Sequence, residues 1–126
     1  MTRAQYRAAR RALKQENACR LAGKYHSYRT GATCAIGALA IEAGVKPSYF
    51  RHDRRNGDPV YALPKVTAAI KQTFGLDEDV QVALQRANDS VCPPARMGSL
   101  DPDELRHKHR LGKVLKVLSD AYNSGK

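Results

Sequence analysis

The sequence predicts an all-α protein, a compact single-domain bundle of five or six helices. Three observations predict it. Apolar residues recur at spacings of three and four along most of the chain, and no stretch alternates with the period of two of a half-buried strand. Capping residues stand before these periodic stretches, and several end at glycine. The chain has 126 residues, 42% of them hydrophobic and 27% charged, enough to bury a core without disulfide or metal staples.

The elements follow in order. Thr2 is a candidate N-cap, with Gln5 at the capping-box spacing, and neither Gly nor Pro intervenes before Gly23. A first helix running towards Gly23 is expected. Tyr6, Ala9, Leu13 and Ala18 or Cys19 give it a thin apolar stripe, and Arg3, Arg7, Arg10, Arg11 and Lys14 line up beside that stripe as a basic ridge. Residues 1–31 thus read as a basic helix and its polar connection, and residues 32–126 as the helical core of the same domain. Thr33 can cap a helix from Cys34 to Gly44 that is apolar on nearly every side, the mark of a central element. Gly37 inside it costs about 1 kcal/mol in helix propensity, which close approach of another backbone would explain.

Pro47 to Phe50 can begin a short helix, and Asn56-Gly57-Asp58-Pro59 is a strong turn. Pro64 suits the first position of a helix with Leu63, Val66, Ala69, Ile70 and Phe74 on one face and Gly75 at its end. Asp77 can cap the next helix, whose apolar face is Val80, Ala83, Leu84 and Ala87 and which closes at Asn88-Asp89. A loop from Ser90 to Leu100 follows. Asp101-Pro102-Asp103-Glu104 then opens a last helix carrying Leu111, Val114, Leu115, Leu118 and Tyr122, with Gly112 as a point of kinking or interruption.

Charge is unevenly spread. The net charge is +10, from 22 Lys and Arg against 12 Asp and Glu. Residues 1–31 hold 8 basic and 1 acidic residue, whereas residues 32–100 hold 8 and 7. The Arg-rich ridge lacks the interleaved Glu of an ordinary solvated face, and Arg is the residue favoured for phosphate and stacked contacts. Tyr6, Tyr25 and Tyr28 lie near it in sequence and are candidates for stacking on bases. Such a surface suits nucleic acid, another phosphate-bearing ligand or an acidic host protein, with binding that weakens in salt.

Residues 38–57, ALAIEAGVKPSYFRHDRRNG, resemble the helix-turn-helix of phage-repressor type. Gly44 would supply the turn, Val45 would plug between the helices, and Arg51, Arg54 and Arg55 would face phosphates or guanines. Asp53 departs from the pattern, standing where the second helix usually turns an apolar residue inward. A buried helix ending at a left-handed glycine accounts for the same residues.

A second set of motifs spans about three quarters of the chain: Cys34, Gly37, Ala38 and Leu39; Leu63, Pro64 and Val66; Gly75-Leu76; Asn88-Asp89; and the helix from Val114 to Ala121. In this order they resemble a family of small uncharacterised proteins of bacteriophages and actinobacteria. The resemblance implies a compact helical fold and a phage or mobile-element origin, and it brings no established activity. Cys34, Gly37, Asn88 and Asp89 are its structural signature. A buried Asn or Asp from the Asn88-Asp89 pair can bond the start of the Cys34 helix and tie the two motifs together.

Signs of catalysis are sparse. Cys34 at a helix start, with a histidine and Asn88 or Asp89, would make a Cys-His-Asn arrangement, but a buried core thiol explains it more simply. Phosphate-binding glycine loops and paired carboxylates are absent, and Cys19, Cys34 and Cys92 form no Cys-x-x-Cys pair. His107 and His109 fall on different helix faces, so neither metal nor other cofactor is expected. No apolar run nears the ~18 residues of a membrane span, and no signal peptide is visible, so reduced thiols in a cytoplasmic protein are expected. The leading expectation is a non-enzymatic binding protein of phage type. An interaction module that inhibits or redirects a host factor is the second, and a Cys-dependent enzyme the last. The thin stripe on the first helix fits docking on the core or on a second copy, so a homodimer stays open.

Overall fold

The computed structural model describes residues 1–22, 25–27, 29–50, 64–90 and 101–125. Among these residues five α-helices succeed one another: α1 (Arg3–Leu13), α2 (Ala35–Glu42), α3 (Pro64–Phe74), α4 (Glu78–Asn88) and α5 (Pro102–Asn123). A 3₁₀ turn, Pro47–Phe50, follows α2. Among the described residues there is no strand; His26 and Thr33 form one isolated antiparallel bridge. The all-α class is therefore observed.

The capping box of α1 is complete. Thr2 Oγ1 accepts from the Gln5 N–H at 3.1 Å, and Gln5 Oε1 accepts from the Thr2 N–H at 2.8 Å. The helix ends at Leu13, with Lys14 as its C-cap, well short of Gly23. Continued at 100° per residue, it would place Ala18 among the arginines on the solvent side. The chain turns instead, and both Ala18 and Cys19 enter the core. Cys19 adopts a left-handed φ of +61° to make that turn.

Helix α2 is the centre of the bundle: every residue from Ala35 to Ala40 is buried. Its cap is Cys34, not Thr33. Cys34 Sγ accepts from the Gly37 N–H at 3.3 Å. Thr33 is engaged elsewhere, its carbonyl accepting from the N–H groups of Arg20 at 2.9 Å and Leu21 at 3.2 Å. The close approach expected at Gly37 is made by Tyr25: a Cβ on Gly37 would lie 1.9 Å from the Tyr25 carbonyl oxygen. That same oxygen accepts from the Cys34 N–H at 3.3 Å, so the 25–33 loop is pinned flat on the first turn of α2.

Helix α3 starts at Pro64, buries Val66, Ile70 and Phe74, and gives way to Gly75 at φ +69°. Asp77 occupies the N-cap of α4 without a side-chain cap bond, leaving Glu78 and Asp79 to complement the helix dipole. Asp101 does cap α5, accepting from the Asp103 N–H at 3.0 Å. Helix α5 runs unbroken through Gly112, which is exposed and would meet nothing within 4 Å if it gained a Cβ. Leu111, Val114, Leu115 and Leu118 hold both halves of α5 on the core, which outweighs the propensity cost of one glycine. Helices α1 and α5 run antiparallel. His107 Nε2 lies 2.9 Å from the Ala18 carbonyl, and Tyr122 stacks on Tyr6 with centroids 4.4 Å apart.

Two glycine substitutions separate the two roles. Gly37→Ala, which must displace a backbone carbonyl, is expected to destabilise the protein by about 2–4 kcal/mol. Gly112→Ala is expected to stabilise it by about 0.5–1 kcal/mol. Urea denaturation followed by circular dichroism checks both, and equal effects would contradict the assignment.

Candidate functional site

The basic ridge stands fully outward. Arg3, Arg7, Arg10, Arg11 and Lys14 are all exposed, while Ala9, Ala12 and Leu13 on the opposite side of α1 are buried. With 3.6 residues per turn the five cations fall within an arc of about 100°, and Arg3 to Lys14 spans about 16 Å along the axis. Helix α1 contains no acidic residue. Among the described residues none of the five meets a carboxylate; the ion pairs formed are Arg20–Glu104, Arg106–Asp103 and Lys116–Asp120. The last turn, with Arg10 and Arg11, sits at the negative end of the helix dipole, which favours those charges.

The neighbouring tyrosines divide. Tyr6 is half-buried and stacked on Tyr122 with an interplanar angle of 10°, on the flank of the ridge. Tyr25 is fully buried, so it is unavailable for stacking on a base. It pairs with Phe50 at 5.5 Å, an internal role that its position in a polar stretch concealed. Tyr28 lies outside the described residues.

The stretch that resembles a helix-turn-helix is described only up to Phe50. Gly44 adopts φ +97°, and Val45 is buried behind it. The residues that follow, Pro47–Phe50, form a 3₁₀ turn rather than the start of an α-helix. Arg51, Arg54 and Arg55 lie outside the described residues.

Asn88 and its exposed neighbour Asp89 close α4 with a network of hydrogen bonds. Asn88 is fully buried at the C-terminal end of α4. Its Oδ1 accepts from the Ala35 N–H at 3.0 Å, and its Nδ2 donates to the Leu21 carbonyl at 2.8 Å and to Asp89 Oδ1 at 2.9 Å. Asp89 Oδ2 accepts from Gln85 Nε2 at 2.8 Å, and Cys34 Sγ lies 3.8 Å from Gln85 Oε1. The tie between the Cys34 and Asn88-Asp89 motifs is thus a hydrogen bond to the first turn of α2. Gln85 and Gln81 escaped the sequence reading. Both are buried on the inner face of α4, and Gln81 Nε2 donates to the carbonyls of Thr67 at 3.0 Å and Leu76 at 2.9 Å. Their signal was available as amides recurring at spacings of four and three: Gln81, Gln85, Asn88.

Both described cysteines are unsuited to nucleophilic attack at neutral pH. Burial pushes the Cys34 thiol up to about 12, with the Gly37 N–H pulling the other way. Burial likewise pushes Cys19 up to about 12, against the opposing charge of Arg110. Among the described residues no histidine bonds to Cys34, and no group of three or more His, Cys, Asp and Glu is placed to hold a metal ion. Among the described residues no helix is long and apolar enough to cross a membrane. Comparison with known protein families, curated proteins and solved structures found no match to this chain.

Asn88→Ala is expected to cost about 2–4 kcal/mol, because it strands a buried N–H and a buried carbonyl. Asp89→Ala should cost less, about 0.5–1.5 kcal/mol, since Asp89 is exposed and its loss leaves the Ala35 N–H and the Leu21 carbonyl still bonded to Asn88. Chemical denaturation measures both, and the reverse order would contradict the network.

The two thiols also set an alkaline limit. Their folded values lie above the ordinary 9.0, so their contribution is complete below pH 9 and is lost as pH rises towards 12. Stability should fall across that window, and Cys34→Ser together with Cys19→Ser should flatten the fall. Denaturation midpoints measured from pH 8 to pH 11 test this.

Proposed function

We propose that this chain is a non-enzymatic binding protein of phage type that holds nucleic acid along the outer face of α1. One observation supports the reading above the others: five unpaired cations on one arc of a capped, docked helix that contains no acid. Unpaired arginines on a rigid support bind phosphate without first breaking an internal ion pair. The support is firm on three sides, through the capping box, the Tyr6–Tyr122 stack and the burial of Ala9, Ala12 and Leu13. Burial of Cys34 favours binding over a thiol chemistry. The recognition-helix reading of residues 45–57 is a finer form of this proposal, and the α1 face does not depend on it.

Binding to labelled duplex and single-stranded oligonucleotides, followed by anisotropy across a salt series, tests the proposal. Four or five phosphate contacts give a slope of log K against log salt of about −4 on duplex DNA and about −3 on a single strand. Arg7→Ala with Arg10→Ala should lower that slope by nearly two and weaken binding about equally across sequences. Absence of binding at low salt would sink the reading. Capture of an acidic protein by the same arginines would then favour the interaction module.

A further inference from the structure

We propose that the cavity between the end of α2 and the start of α3 binds a nucleotide unit, a phosphate joined to a planar ring. The cavity measures about 350 Å³ and is lined by Gly44, Val45, Lys46, Ser48, Tyr49 and Lys65. That volume lies in the range of small-molecule sites, roughly 300–1,000 Å³.

The lining chooses the ligand. Among the described residues, the charges that line it are two ammonium groups, and no carboxylate does. Neither Lys46 nor Lys65 pairs with a carboxylate among the described residues. Two unneutralised cations around one hollow repel each other, and an anion between them removes that cost. Ser48 adds a hydroxyl able to donate to an anionic oxygen.

The aromatic wall supplies the second half of the recognition. Tyr49 is the large hydrophobic residue left exposed among the described residues, at 36%. Its ring is not loose. It meets Phe50 edge-on with centroids 5.8 Å apart, and Phe50 is in turn stacked on the buried Tyr25 at 5.5 Å. A ring fixed through two aromatic contacts to the core presents a stacking surface at little entropic cost. Lys65 Nζ lies over that ring, 5.0 Å from its centroid. When Lys65 turns from the ring to an anion, the face it covered is left for a planar group attached to that anion. Inorganic phosphate would use only the lysines, and a nucleoside only the tyrosine. The combination fits a nucleotide, free in solution or as one unit of a strand.

Isothermal titration of the full chain with the four common nucleoside 5′-monophosphates, with adenosine and with inorganic phosphate tests the assignment. A monophosphate should bind at least about tenfold more tightly than either fragment. Lys65→Gln and Tyr49→Ala should each weaken it about fivefold or more, in line with the usual worth of one stacking contact. Both side chains are exposed, and circular dichroism verifies that the variants fold. Arg7→Ala with Arg10→Ala should leave the monophosphate affinity unchanged, which separates this cavity from the α1 face. In that double-variant background, a 5′-phosphorylated oligonucleotide distinguishes the two sources. Lys65-dependent binding tighter than that of the monophosphate identifies a strand, and the opposite order identifies a free nucleotide. No monophosphate binding at millimolar concentration, phosphate binding as tightly as the nucleotide, or affinity indifferent to both variants would each overturn the proposal.

Discussion

A single buried amide holds the arrangement together. Asn88 caps the first turn of α2 through Oδ1 and grips the Leu21 carbonyl through Nδ2. The end of α4, the start of α2 and the segment leaving α1 therefore meet on one side chain. Each partner is a backbone group that helix ends and turns leave unsatisfied, and the site is too buried for water to replace them. Cys34 and Gly37 extend the same junction. The thiol caps α2 from within, and the missing side chain at Gly37 lets the Tyr25 carbonyl close over it. Cys34, Gly37 and Asn88, far apart in the sequence, thus meet at one junction.

Much of the fold was legible because its signals are local. The capping box at Thr2, Pro64 at the start of α3, Gly75 behind it and Asp101-Pro102 before α5 act within a few residues of themselves. The failures share a cause as well. The early end of α1, the capping by Cys34 in place of Thr33 and the unbroken passage of α5 through Gly112 were decided by contacts distant in sequence. Ala18 and Cys19 leave the helical path because the core takes them, a demand no helix propensity encodes.

The candidate site was legible in a different measure. Periodicity alone put Arg3, Arg7, Arg10, Arg11 and Lys14 on one face, because the period of a helix is fixed. It was silent on what would lie around that face. Tyr25 looked like a companion to the arginines and is instead a core ring, whereas Tyr122, far along the chain, lies beside the ridge. The amides on α4 were passed over because Gln is ordinarily a surface residue. The cavity beside Tyr49 was invisible, since Lys46 and Lys65 are nineteen positions apart and meet there only through the packing of α3 against α2.

The antiparallel seat of α1 on α5 has a consequence for biosynthesis. The basic helix leaves the ribosome before the ring it leans on, since Tyr122 follows Tyr6 by more than a hundred residues. Until α5 is made, α1 can lean on α2 and α3 but lacks the third helix it packs against. The support beneath the basic face is therefore completed by a segment made long after the face itself.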